Sequence, residues 1–153
     1  MSEMKIINYQ EKYHDNLKRL SYEWLEKYKL LEPEDEKMLN NPKEIILDKG
    51  GFIFLAQYGE EIVGTVSLMK INDDTFEIVK LSVTKKYQGL NIGEILIRKC
   101  LYISKQNKAI KVILFSNHIL KYAIDLYKRI GFKEVAFENN KYIESDLKME
   151  LIF

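Results

Sequence analysis

The chain has 153 residues, 46% hydrophobic and 31% charged, a composition that suits a soluble globular protein with one substantial core. Its 24 Lys and Arg nearly balance 23 Asp and Glu, for a formal net charge of +1, which argues against the concentrated basic surface of a nucleic-acid-binding protein. Cys100 is the only cysteine, which excludes an intrachain disulfide and a cysteine-rich zinc site; no run approaches the ~20 apolar residues of a membrane span, so the expected setting is cytoplasmic with no membrane partner.

No internal repeat, low-complexity tract or linker interrupts the sequence, and one domain over residues 1–153 is expected. Lys5 to Tyr9 reads as a first strand. Tyr13, Leu17, Leu20, Trp24 and Tyr28 then recur at three- and four-residue steps, the pattern of an amphipathic helix. Pro33 suits the first turn of a short helix over Glu34 to Leu39, Pro42 to Leu47 is open to a further helical piece, and Gly50-Gly51 ends this section. Phe52 to Gln57, Ile62 to Lys70 and Phe76 to Val83 read as an antiparallel meander with turns at 58–61 and 72–74. A helix over Ile92 to Lys105 leads into the nearly continuous apolar run Ala109 to Phe115, a strand covered on both faces. Strand, helix and strand make a parallel crossover. A second helix runs from about Ile119 to Ile130 and stops at Gly131; strands at Phe132 to Phe137 and Ser145 to Ile152 finish the chain. The fold class is α/β, a mixed and mostly antiparallel sheet with helices on both faces.

The most informative stretch is Lys80 to Leu96, where a strand passes through Lys85-Lys86 into Gln88-Gly89-Leu90-Asn91-Ile92-Gly93 and a helix. Backbone amides and a helix N-terminus aimed at one spot make an anion site. Glycine serves where the backbone approaches a ligand or adopts positive φ, and Asn91 is the other residue type that tolerates the left-handed region. Asn91 also suits a helix N-cap, with Glu94 completing a capping-box pattern, while the charge of Glu94 would compete with a bound anion. The spacing is neither the dinucleotide G-x-G-x-x-G nor a Walker A loop.

A second motif, Ala123-Ile124-Asp125-Leu126-Tyr127-Lys128-Arg129-Ile130-Gly131-Phe132, lies about 35 residues on. Together the two motifs and the element order resemble the GNAT superfamily of acyl-CoA-dependent N-acetyltransferases over nearly the whole chain. The resemblance implies acetyl-CoA as co-substrate, no metal, and an acceptor that is a small-molecule or peptide amine. It implies that the pyrophosphate lies on Gln88, Gly89, Leu90, Asn91, Ile92, Gly93 and Glu94, and that the backbone at Leu81 and Val83 holds the pantetheine arm, with Ser82 a weaker candidate. Gln88 stands where Arg is frequent and Asn91 where Gly is expected. Leu120 stands where many members carry Asn, and Asn117 is the nearby substitute. Lys128, with Arg98 and Lys121, is a candidate for the 3′-phosphate.

Amine acetylation needs a base, because an alkylamine of pKa ~10.4 is only about 0.04% neutral at pH 7. Glu77 is the candidate: by strand alternation it shares a face with Val79, Leu81 and Val83, where an apolar setting would raise its pKa. Tyr127 is the candidate acid for the leaving thiolate. Glu23, Trp24 and Tyr28 are the candidate acceptor residues, Glu23 for a cationic amine and Trp24 for a cation–π contact. Acceptor determinants are expected around 20–40 and 137–145. The expected reaction is direct transfer in a ternary complex, since Cys100 is poorly placed as an acyl carrier; the alternative is a non-catalytic CoA-binding sensor or interaction module. His14 and His118 are not spaced as a metal pair. A homodimer is open to the chain, with Ser145 to Ile152 as one route.

Overall fold

The computed structural model describes residues 3–137 and 142–153. One seven-stranded sheet runs in the order β1-β2-β3-β4-β5-β7-β6, built from β1 (Met4–Asn8), β2 (Phe52–Tyr58), β3 (Glu61–Lys70), β4 (Thr75–Val83), β5 (Lys111–Ser116), β6 (Lys133–Val135) and β7 (Leu147–Ile152). Only β4 and β5 are parallel, joined by helix α3 (Ile92–Gln106) as the crossover. The other helices are α1 (His14–Lys27), α2 (Pro33–Asn40) and α4 (Lys121–Ile130). The segment after Pro42 forms a single π-helical turn, Lys43–Leu47, instead of an α-helix. The two terminal strands are shorter than the apolar runs suggested: Phe132 is buried but precedes β6, and β7 starts at Leu147.

Each helix buries its apolar stripe on a sheet face. α1 packs Leu17, Leu20 and Leu25 with Met38 and Leu39 of α2 against Ile53, Leu55 and Val79. On the opposite face, Leu96, Ile97 and Cys100 of α3 and Ile124, Leu126 and Tyr127 of α4 pack on Phe76, Ile78, Val112 and Leu114. Gly64 lets the start of α3 come close: a Cβ there would meet Ser82 O at 3.2 Å and the side chains of Ile92 and Leu96 at 3.3 Å. α2 starts at Pro33, and the Asp35 carboxylate reaches back to accept the Glu32 N–H at 2.8 Å.

β7 lies between β5 and β6, hydrogen-bonded on both sides. Among the described residues β1 and β6 are the outer strands, and β6 pairs with β7 only at Lys148, Met149 and Glu150. Among the described residues, no helix is long and apolar enough to cross a membrane.

Candidate active site

One irregularity in β4 shapes the site. Thr65 pairs with Ser82, but Ser67 pairs with Val79, so Val66 of β3 faces both Lys80 and Leu81. This is a β-bulge, with Lys80 in the left-handed region at φ 56°. The bulge resets the alternation. Glu77 and Val79 face α1 and α2, whereas Leu81 and Val83 join the α3 and α4 core. The expectation of one shared face for Glu77, Val79, Leu81 and Val83 therefore fails, because period-two alternation holds only along an unbroken ladder. The parallel pairing of β4 with β5 ends at Ile78 and Leu114. Beyond it β4 borders two chambers and β5 the smaller of them; the chambers share Trp24, Leu81, Ser82, Leu120 and Tyr127.

The larger chamber, of about 460 Å³, is bordered by the end of β4, the 87–94 loop and the first turns of α3 and α4. Gly89 sits at φ 86° and Asn91 at φ 62°, so the loop makes two left-handed turns before α3. The Asn91 side chain makes no capping hydrogen bond, and the expected capping box does not form. A capping side chain works from extended backbone, and the left-handed conformation aims it elsewhere. Glu94 instead accepts from Arg98 at 3.0 Å and Arg129 at 2.9 Å, and these guanidiniums hold its carboxyl below the usual carboxylate range. The residue that would repel an anion is thus neutralised by two cations, leaving the Gly93 and Glu94 amides without intrahelical acceptors. A Cβ at Gly93 would only touch Leu126 at 3.8 Å, so packing does not demand glycine there. Gln88 donates to Val83 O at 3.0 Å and ties the loop to β4.

Tyr127 lies at the junction of the chambers, 8% exposed. Gly131, at φ 128°, ends α4, and the amides of Gly131 and Phe132 both bond to Tyr127 O. The stop folds Phe132 back against the Tyr127 ring, edge-on with centroids 6.0 Å apart. Burial pushes the phenol up to about 12 from 10.0. The neutral form is favoured in the folded chain, so this group's contribution to stability is complete below pH 10 and is lost as pH rises through 12. Denaturant titrations between pH 9 and 12 are expected to show this loss, and Tyr127→Phe to remove it; an unchanged alkaline slope in the variant would contradict the assignment.

The smaller chamber, of about 110 Å³, sets several charged and hydroxyl side chains among apolar ones. Glu77 is fully buried and accepts from the Tyr142 hydroxyl at 2.6 Å. Burial, with the Glu77 charge beside it, raises the Tyr142 phenol far above its ordinary value. Lys80 forms a buried ion pair with Asp35. The Glu32 carboxylate accepts the amides of Ile143 at 3.0 Å and Glu144 at 2.9 Å, and Asn117 donates to Glu144 O at 2.6 Å. Ser21 is 2% exposed, and its hydroxyl has no hydrogen-bond partner among the described residues.

Several expected site residues are brought together: Glu77 and Tyr127 border the small chamber, while Val83, Gln88, Gly89, Asn91, Ile92, Gly93, Glu94 and Tyr28 border the large one, with Leu81 and Trp24 on both. Others are placed elsewhere. Glu23 borders neither chamber and accepts from Thr84 at 3.1 Å and the Lys85 amide at 3.3 Å. Asn117 borders the small chamber, with its side chain spent on Glu144 O and the Ile119 amide. Ser82 borders both but donates to Leu20 O at 2.7 Å. Leu90 is exposed and, like Lys128, borders neither chamber; Lys121 and Arg129 are the basic residues at the large one. Sequence reasoning missed Ser21, Glu32, Asp35, Lys80, Arg129 and Tyr142 as individuals, although four of them fall in the stretches 20–40 and 137–145. Residues 138–141 of the second stretch lie outside the described residues. Among the described residues, no cluster of three or more His, Cys, Asp or Glu could hold a metal ion.

Comparisons with known proteins agree on the family and the fold. The family profile described as "Acetyltransferase (GNAT) family" matches residues 15–132. N-acetyltransferase 8 of Rattus norvegicus is 26% identical over 104 residues, covering 65% of this chain and 47% of the relative, so the chain spans about half that protein's length. An acetyltransferase of the GNAT family from Staphylococcus aureus Mu50 superposes with a TM-score of 0.83 at 23% identity, covering 97% of this chain and 98% of its own. The PaiA N-acetyltransferase of Thermoplasma acidophilum, solved in complex with coenzyme A, superposes with a TM-score of 0.77 at 16% identity over 99% of each chain.

Proposed function

This chain belongs to the GNAT acetyltransferase family, and from that premise we propose that it transfers an acetyl group from acetyl-CoA to a primary amine, directly within a ternary complex. The observation that carries the reading is the meeting of two unlike chambers at Leu81 and Tyr127, one bordered by the α3 N-terminus with Lys121 and Arg129 and one holding a buried carboxylate. The relatives' names, and the coenzyme A in the Thermoplasma structure, support the same assignment.

Acetyl-CoA would supply the activated acyl carbon and a leaving thiolate. The Gly93 and Glu94 amides, with the α3 N-terminus and the cations Lys121 and Arg129, would hold its phosphates. Leu81 and Val83 would line its pantetheine arm. Glu77 would take the proton from the incoming amine, directly or through water, with Tyr142 fixing one carboxylate oxygen. Tyr127 would donate a hydrogen bond to the sulfur. With its phenol near 12 it is a weak acid against a thiol of ~8.5, so it would stabilise the departing charge chiefly as a donor. Cys100 is fully buried, its thiol pushed up by burial, and borders neither chamber, which supports transfer without a covalent acyl-enzyme.

The test pairs binding with turnover. CoA and acetyl-CoA at ~100 Kd are expected to raise stability by about 2.7 kcal/mol, and ATP and NAD to leave it unchanged. Free-thiol release should require both acetyl-CoA and an amine, and Cys100→Ala should retain it. Protection by CoA with no amine-dependent turnover across an amine panel would mark a non-catalytic CoA-binding module.

A further inference from the structure

We propose that the acceptor is a short-chain primary amine carrying a second hydrogen-bond donor, a diamine or amino alcohol, and not a polypeptide. This rests on the N-acetyltransferase reading and adds a substrate class to it.

Size comes first. At about 110 Å³ the small chamber is well below the ~300 Å³ at which drug-sized pockets begin, so it has room for a handful of heavy atoms. The 142–146 wall is pinned on several sides. Glu32 holds two of its amides, Asn117 its Glu144 carbonyl, Ser116 O the Asp146 amide, and Glu77 the Tyr142 hydroxyl. Widening the chamber for a chain of peptide units would break these bonds.

Chemistry comes second. Glu32, Asp35 and Glu77 border the chamber at 8%, 4% and 0% exposure, three buried carboxyl groups against the single ammonium of Lys80 in the chamber's lining. Ser21, on the same wall, adds a hydroxyl that is buried without a partner among the described residues. A buried polar group left unanswered is costly, which makes Ser21 an independent sign that a ligand group belongs opposite it. An acceptor-rich wall selects a donor-rich ligand. The reacting nitrogen must be neutral to attack, and carboxylates that hold it as ammonium oppose that step. With Glu77 assigned to the reacting nitrogen, the preference of Glu32 and Asp35 for a donor is useful only toward a second group on the same molecule. Trp24, bordering both chambers, would cover the aliphatic stem between the two.

The experiment measures kcat/KM by thiol release for propylamine, 1,3-diaminopropane, 3-aminopropan-1-ol and trialanine. The diamine or the amino alcohol is expected to exceed propylamine by at least about tenfold, and trialanine to be the poorest. Ser21→Ala should collapse the advantage over propylamine by about tenfold. In calorimetric titration of CoA-saturated protein it should also weaken 1,3-diaminopropane binding while the affinity for CoA holds. Propylamine or trialanine turning over as fast as the bifunctional amines would overturn the proposal, as would an unchanged ratio in Ser21→Ala. Binding of acetyl-CoA with no amine acetylated at all would instead remove the N-acetyltransferase reading, and this proposal with it.

Discussion

Glu77→Gln is expected to lower kcat by about 10²- to 10⁴-fold with little change in acetyl-CoA affinity. The amide keeps the size of the side chain and an oxygen to accept from Tyr142, so the local packing has a partner to retain. What it loses is proton affinity. At pH 7 the free amine is mostly protonated, an apparent barrier of roughly 4–5 kcal/mol, and a positioned carboxylate relieves part of it. The loss should shrink as pH rises toward the amine's own pKa, because the neutral amine then needs no base. Rate profiles from pH 6 to 10 for wild type and variant check this. A variant within threefold (about 0.6 kcal/mol) of wild type across that range would move the base elsewhere. Tyr142→Phe should give a smaller fall, since it removes one hydrogen bond to the carboxylate without removing the base.

Asp35→Ala is expected to destabilise the fold by about 3–5 kcal/mol, since it strands the Lys80 ammonium in the interior. Lys80 and Asp35 side chains are only 10% and 6% exposed, so water cannot take over as it would at a surface pair. Asp35 also accepts the Glu32 N–H at the start of α2, worth about 1 kcal/mol more. Lys80 also holds a left-handed φ at the bulge, which costs a non-glycine residue free energy, and the ion pair is one of its tertiary ties. Replacing both partners, as Asp35→Ala with Lys80→Met, should recover much of the loss, because no unpaired charge remains. Urea midpoints read the comparison. Stability of the single variant within about 1 kcal/mol of wild type would mean that the ammonium finds another partner or reaches solvent.

Both variants bear on a region that sequence reading reached only by its limits. Glu77 was legible as a carboxylate in an apolar strand, and Tyr127 through the resemblance of the 123–132 segment to the family's motif. Their partners were not. Tyr142 comes 65 residues after Glu77, and Asp35 comes 45 before Lys80. Neither pair has a periodicity or spacing to betray it. Glu23 shows the opposite failure. It is a carboxylate one position from Trp24, but adjacent helix positions point about 100° apart. Trp24 turns to the cleft and Glu23 to the Thr84 turn. Lys128 and Arg129 repeat the lesson on α4, where Arg129 alone meets Glu94 and borders the cleft.

What the sequence determined by itself was whatever neighbouring residues build among themselves. The left-handed steps at Gly89 and Asn91, the helix stop at Gly131 that presses Phe132 onto Tyr127, and the helix and strand periodicities are such features, and they sufficed for the fold class and the 87–94 loop. Tertiary structure alone decided the small chamber. The bulge at Lys80 exchanged the faces of β4, and it did so through its pairing with β3, which no property of β4 announces. The small chamber then draws Ser21, Glu32, Asp35, Glu77 and Tyr142 from distant segments. Their burial and mutual hydrogen bonds exist only once the sheet is assembled, because desolvation acts on neighbours in space.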